Sequence, residues 1–140
     1  MYRILVPIDG SDEALRALDY GLRLARLIGE AEIHLLNVQP PVSGSVSTFV
    51  GSETVARFHR EESENALAAA RKRLESEAVP VHVAMRIGGA GSTIAEYAQE
   101  AGCDEIVMGT RGLGRIGGLV LGSVATQVVH LAELPVTLIK

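Results

Sequence analysis

Residues 109–125 read GTRGLGRIGGLVLGSVA, which places six glycines within fourteen positions and follows the last of them with Ser123. Glycine reaches positive φ at little steric cost and lets a ligand come close to the main chain, so such a run presents backbone N–H groups. Where it opens into a helix, unpaired N–H groups and the positive end of the helix dipole add to it. The chemistry on offer is anion binding, and between a strand and a helix the usual anion is a phosphate. The plain structural alternative is a flexible surface hairpin. Long glycine loops inside compact domains tend to be functional, which favours the phosphate.

Three glycine patterns overlap in this stretch. Gly112-x-Gly114-x-x-Gly117 fits the dinucleotide fingerprint, with Glu133 downstream for a ribose contact. That fingerprint belongs to the first strand–helix turn of a unit, whereas this one follows the fourth apolar run. Gly117-x4-Gly122-Ser123 has the outline of a P-loop but lacks its lysine, since Lys72 and Lys140 are the only two in the chain. Nothing there can meet the β- and γ-phosphates. The third pattern is Gly109-x2-Gly112-x9-Gly122-Ser123.

Single residues add to the site or stay outside it. Asp9 ends an apolar run and precedes Gly10; it can face a ligand, or it can hydrogen-bond its own turn at Gly10 and Ser11. Ser123 can offer its hydroxyl and N–H to a phosphate oxygen, cap the following helix, or do both. Arg111 and Arg115 are the loop's cations, and Arg115 reads as a solvent-facing charge. His34, His59, His82 and His130 stand at no metal-ligand spacing with one another or with Cys103, so structural roles are expected of them and no metal ligand is assigned. Cys103 has no neighbouring histidine or basic residue in sequence to activate it as a nucleophile.

The elements that must position these residues follow from patterning. Five β-rich runs lie at residues 3–8, 32–38, 79–87, 104–109 and 135–140. Helical stretches are expected between them, at about 11–28, 53–77, 92–100 and 123–132. Ser11 is placed to cap the first, Asp12 and Glu13 sit favourably at its positive end, and Leu15, Leu18, Leu22 and Ala25 recur at helical spacing up to a stop at Gly29. Strict β-α alternation predicts a doubly wound α/β fold, a parallel sheet with right-handed crossovers and helices on both faces. Runs such as Ile4-Leu5-Val6 and Ile106-Val107-Met108 are continuously apolar, as strands covered on both faces should be. Ligands in such sheets bind beyond the carboxyl ends of the strands at the switch in strand order; Asp9 and Gly109 fall at the ends of the first and fourth runs, and if those strands are neighbours flanking the switch, one ligand could touch both. Residues 39–52 carry no charge and are rich in Ser, Gly, Val and Pro. They read as a mobile connection or as a lid over the pocket mouth.

Composition bounds the rest. The 140 residues suit a single domain spanning 1–140, and 47% hydrophobic with 21% charged residues fits a packed globular chain. With a net charge of −4 and no basic run, the footprint of a nucleic-acid or anionic-membrane binder is missing. No apolar stretch reaches the ~18 residues needed to span a bilayer. One cysteine and an N-terminus, MYRILVPIDG, without a leader pattern make the cytoplasm the expected location. In the closing run, Pro135 suits an edge strand, and an apolar edge invites pairing with another chain unless Lys140 guards it.

At the Gly109, Gly112, Gly122-Ser123 spacing the chain resembles the ATP-binding members of the universal stress protein family. The resemblance extends over nearly the whole chain, through the opening RILVPIDGSDEA, a strand ending in LLNV, a GxxxxxI element from Gly88 to Ile94, the run DEIVMGTRG and the closing LPVTLIK. It departs slightly at Gly89 and Ala90, where the family's proline is replaced. The resemblance implies a Rossmann-like, five-stranded parallel sheet of the adenine nucleotide alpha hydrolase type, with ATP as ligand. It also implies site residues: Asp9 at the ribose or adenine edge, Pro7 and Ile8 lining the wall, Val38 meeting adenine through its main chain, and Met108 and Gly109 flanking the nucleoside. Arg111, Gly112, Gly122, Ser123 and Val124 would surround the phosphates. One or two arginines do not balance a triphosphate, so Mg²⁺ is expected with it. A homodimer through the strand from Pro135 to Lys140 is implied as well.

Efficient phosphoryl transfer needs a positioned base or water-orienting residue, and around the loop stand Arg111, Ser123 and Thr126, none of them a general base. The expected function is therefore a nucleotide-dependent sensor or switch in stress response, with no assigned catalytic residue and little or no ATPase activity. Two alternatives stay open. One is a slow ATP hydrolase or autophosphorylating enzyme, and the other is a dimeric interaction module that binds no nucleotide.

Overall fold

The computed structural model describes residues 1–111 and 121–140. Its elements run β1 (Tyr2–Pro7), α1 (Asp12–Ile28), β2 (Ala31–Gln39), α2 (Gly44–Val50), α3 (Ser52–Leu74), β3 (Val81–Ile87), α4 (Ala90–Glu100), β4 (Glu105–Gly109), α5 (Ser123–Leu131) and β5 (Val136–Ile139). The five strands form one parallel sheet in the order β3-β2-β1-β4-β5. The chain moves outward from β1 through β2 to β3, then returns to the other side of β1 for β4 and β5. Right-handed crossovers in opposite directions put the helices on opposite faces. The fold is the doubly wound α/β architecture expected from the alternation.

Strand side chains alternate between the two faces. Ile4, Val6 and Ile8 join Ile33, Leu35 and Val107 beneath α1 and α3, which contribute Leu18, Leu22 and Leu67. Leu5, Leu36, Ile106 and Met108 point the other way, against Ile94 and Tyr97 of α4 and Ala125 and Val128 of α5. Ser11 caps α1 by accepting the Ala14 N–H at 3.2 Å. That cap stabilises by about 1 kcal/mol, whereas burying Leu18 and Leu22 contributes roughly 1.5–3 kcal/mol each. Packing therefore holds the helix, and the cap decides where it begins. Gly29 ends it at φ +88°, a value that L side chains rarely adopt.

Several boundaries differ from the sequence reading. The third strand starts at Val81, two residues late, because Pro80 has no N–H and supplies only a carbonyl, to the Ile33 N–H at 2.9 Å. The second long helix stops at Leu74 and α4 begins at Ala90. The larger correction concerns residues 39–52, read as a mobile connection or lid, which contain a helix. Ser43 caps α2 by accepting the Val46 N–H at 3.2 Å, and Gly51, at φ +89°, ends α2 and leads directly into α3. Its Ser, Val and Thr content gave a weak helical signal, and the cap and the stop define it instead. His59 on α3 is buried and bonds the Pro40 carbonyl through Nε2 at 3.0 Å, which pins the start of this segment.

Candidate functional site

The switch in strand order falls between β1 and β4, which pair directly, so the condition for one ligand to reach both strand ends is met. At the exit of β1 the ladder continues one residue further: the Ile8 N–H donates to the Leu36 carbonyl at 2.8 Å. Asn37, buried in β2, donates its Nδ2 to the Ile8 carbonyl at 2.8 Å and accepts Gln39 Nε2 at 2.8 Å. This clamp satisfies main-chain groups that would otherwise be buried unpaired. Just beyond it, Asp9 is exposed, and its Oδ1 accepts both the Ser11 N–H at 3.0 Å and the Ser11 hydroxyl at 2.6 Å. The turn role left open for Asp9 is realised. Gly10 takes φ +91° here, with the Ala66 Cα of α3 3.5 Å from where a Cβ would stand.

The end of β4 is equally tight. A Cβ on Gly109 would stand 2.9 Å from Glu13 Cβ and 3.0 Å from the Arg111 carbonyl oxygen, so the strand end runs directly against the first turn of α1. The Thr110 N–H donates to the Ile139 carbonyl at 2.8 Å, and its own carbonyl accepts the Gly122 N–H at 2.6 Å. That last bond ties the start of α5 to the end of β4. Gly122 is the N-cap residue of α5, and no side chain among the described residues caps it. Thr126 Oγ1 donates back to the Gly122 carbonyl at 2.9 Å. Ser123, exposed, occupies the first helical position and is therefore not the cap; Val124 follows it. Their N–H groups belong to the unpaired set of a helix start.

Pro7, Val38 and Met108 lie at the carboxyl ends of β1, β2 and β4, and strand alternation aims all three toward the face covered by α4 and α5. Ile8 and Gly109 face α1. Pro7, Ile8, Asp9, Val38, Met108, Gly109, Gly122, Ser123 and Val124 thus sit at one end of the sheet, and Arg111 follows β4 there. Gly112 lies outside the described residues, as do Gly114, Arg115 and Gly117. The sequence reading missed Asn37, Thr110 and the buried Glu13. Of these, Asn37 alone carries a visible signal, as a polar residue inside an apolar strand.

The opposite end of the sheet holds a polar cluster that spacing along the sequence could not reveal. Pairing of β2 with β3 sets His34 beside His82, with rings stacked 4.8 Å apart. Glu32 Oε1 lies 3.0 Å from His34 Nε2 and accepts Arg3 Nε at 2.8 Å, while Oε2 lies 3.4 Å from His82 Nε2. The hydrogen bond from His34 and then that from Arg3, opposed by burial, hold the Glu32 carboxyl below its usual range. Nearby, Cys103 lies in the turn after α4 with its N–H on the Ala98 carbonyl at 2.9 Å, and burial pushes its thiol up to about 11. A thiol of that pKa carries almost no thiolate at neutral pH, in line with the inert cysteine expected from sequence. Among the described residues no helix is long and apolar enough to cross a membrane.

A doubly wound parallel sheet whose strand order reverses between β1 and β4, with the start of α5 fastened beside that point, defines a Rossmann-like α/β protein. The model of the universal stress protein family matches residues 1–140. The chain belongs to that family. It is 33% identical over 144 residues to a universal stress protein of Methanocaldococcus jannaschii, covering 99% of this chain and 81% of that protein. The solved structure of the hypothetical protein MJ0577 superposes with a TM-score of 0.86 at 28% identity, covering 99% of this chain and 95% of that one. A universal stress protein solved in complex with cAMP superposes at 0.75 with 25% identity, covering 99% and 97%.

Proposed function

We propose that this universal stress protein binds ATP at the carboxyl ends of β1 and β4, and that occupancy of the site, with little or no hydrolysis, is the signal it carries. The observation that carries the reading is the opening of α5, a helix start that no described side chain caps, fastened to the end of β4 by the Gly122–Thr110 hydrogen bond at the switch in strand order. Arg111, Gly112, Gly122, Ser123 and Val124 take the phosphates; Pro7, Ile8, Asp9, Val38, Met108 and Gly109 take the adenosine. The adenine nucleotide held by the cAMP-bound relative supports the ligand class. Mg²⁺ would travel with the triphosphate and neutralise its charge, with the Ser123 hydroxyl as a neighbouring oxygen. Asp9, the carboxylate at the end of β1, commits an oxygen to its own turn, which favours binding over base catalysis. The reading places the protein in the cytoplasm.

Denaturing freshly purified protein is expected to release ATP detectable by mass spectrometry, and steady turnover of Mg-ATP should fall far below the ~10 s⁻¹ typical of enzymes. Turnover at that typical rate would make it an ATPase. Absence of both released nucleotide and measurable ATP binding would leave the interaction module. The same reading includes a homodimer through β5, an edge strand flanked by the exposed Val129 and Leu131 of α5. Sedimentation at ~10 µM, a concentration where a specific interface should hold, is expected to show twice the chain mass; a monomer there removes the dimer.

A further inference from the structure

We propose that Glu32, His34 and His82 form a binding site for a zinc-class divalent transition metal, at the end of the sheet opposite the crevice between β1 and β4. One ligand atom from each residue lies within 4.8 Å of the other two. Glu32 Oε1 stands 3.0 Å from His34 Nε2, and its Oε2 stands 3.4 Å from His82 Nε2. Around a tetrahedral zinc with ligands at 2.0–2.2 Å, donor atoms sit ~3.3–3.6 Å apart. The cluster therefore already approaches the spacing of three ligands on one ion. His82, whose side chain is 57% exposed on an edge strand, has room to turn its ring toward the other two ligands. Two imidazoles and a carboxylate suit zinc and its neighbours and are a poor set for Mg²⁺, which prefers oxygen alone.

The surroundings are built for ligation. His34 Nδ1 lies 3.1 Å from the Tyr97 hydroxyl, deep against α4. A hydroxyl both donates and accepts, so the ring can carry its proton on Nε2, toward Glu32, or on Nδ1, toward Tyr97. With the proton on Nδ1, Nε2 is a metal ligand whose ring is oriented by the outer hydrogen bond, the usual arrangement for a ligating histidine. Arg3, 2.8 Å from Glu32 Oε1, is the competitor for the carboxylate. Its guanidinium is held on its other side by the Ala101 carbonyl at 3.1 Å. It can stay on Oε1 while Oε2 faces the ion. The exposure of His82 leaves the remaining coordination position open to water.

The test uses the full chain, stripped of metal with a chelator and of nucleotide by washing, and titrated with zinc chloride at neutral pH in a buffer that does not bind metal. One Zn²⁺ per chain is expected to bind with Kd of about 1 µM or tighter, and His82→Ala and Glu32→Gln should each weaken it about tenfold or more, as loss of a ligand does. His82→Ala alters an exposed edge position and Glu32→Gln keeps the side-chain size, so both chains should fold; circular dichroism checks that. In long-range ¹H–¹⁵N spectra, zinc should shift the Nε2 resonances of His34 and His82 and leave those of His130 in place. Stoichiometric binding that survives both substitutions, or binding by the original chain no tighter than by His82→Ala, overturns the site.

Discussion

Gly122→Val is expected to weaken ATP binding by about 100-fold or more, a loss of roughly 2.7 kcal/mol, while the chain still folds. The backbone permits the substitution: Gly122 has φ −73° and ψ 167°, extended geometry open to any L residue. Its N–H, which bonds the Thr110 carbonyl at 2.6 Å, is also kept. Valine is a poorer helix cap than glycine, which costs about 1 kcal/mol, a small part of the 5–15 kcal/mol that holds a domain together. What valine takes away is space. A branched side chain at the N-cap stands where an anion must come to reach the N–H groups of Ser123 and Val124. Calorimetric titration with Mg-ATP and thermal unfolding of the same preparation separate the two effects. Unchanged ATP affinity in a folded variant would refute the site, and Gly122→Ala should fall between the two chains.

Much of this arrangement was legible in the residues because each local rule pointed the same way. Apolar runs such as Ile4-Leu5-Val6 and Ile106-Val107-Met108 mark strands buried on both faces, and both became central strands. Ser11 and Gly29 bound the first helix through capping chemistry that is local to the chain. The position of Asp9 and Gly109 at strand ends followed from alternation, and the pairing of β1 with β4 in the fold makes those ends neighbours. What escaped was set by contacts between distant segments. Asn37 matters because its amide reaches the Ile8 carbonyl, 29 residues away. His34 and His82 become partners only through the register of β2 with β3, which no spacing along one strand encodes. Helix α2 escaped for another reason: seven residues of low helical propensity are held by a serine cap and a glycine stop, too short for periodicity to register.

Gly109→Ala is expected to damage both the fold and the site, which distinguishes it from Gly122→Val. The added Cβ would stand 2.9 Å from Glu13 Cβ, 3.0 Å from the Arg111 carbonyl oxygen and 3.3 Å from the Glu13 carbonyl carbon. Two of those three neighbours are backbone atoms, which no rotamer change can move. The first turn of α1 must shift, or the chain leaving β4 must. Overpacking of this kind costs roughly 1–3 kcal/mol, a fall in Tm on the order of 5–10 °C for a domain of this size. Gly29→Ala is the control: its φ of +88° is unfavourable, yet nothing lies within 4 Å of the added carbon, so it should lower Tm and leave ATP affinity alone. In Gly109→Ala the affinity should fall too. The displaced atoms belong to the main chain of Arg111, one of the residues proposed to meet the phosphates, and to the helix whose cap, Ser11, is bonded to Asp9. Thermal melts with and without Mg-ATP report both quantities, since a ligand that binds only the folded chain stabilises it by an amount that grows with the logarithm of its concentration over Kd. A Gly109→Ala chain that melts and binds like the original would mean that the strand end and α1 can part without cost. The close approach at Gly109 would then be no reason for glycine there.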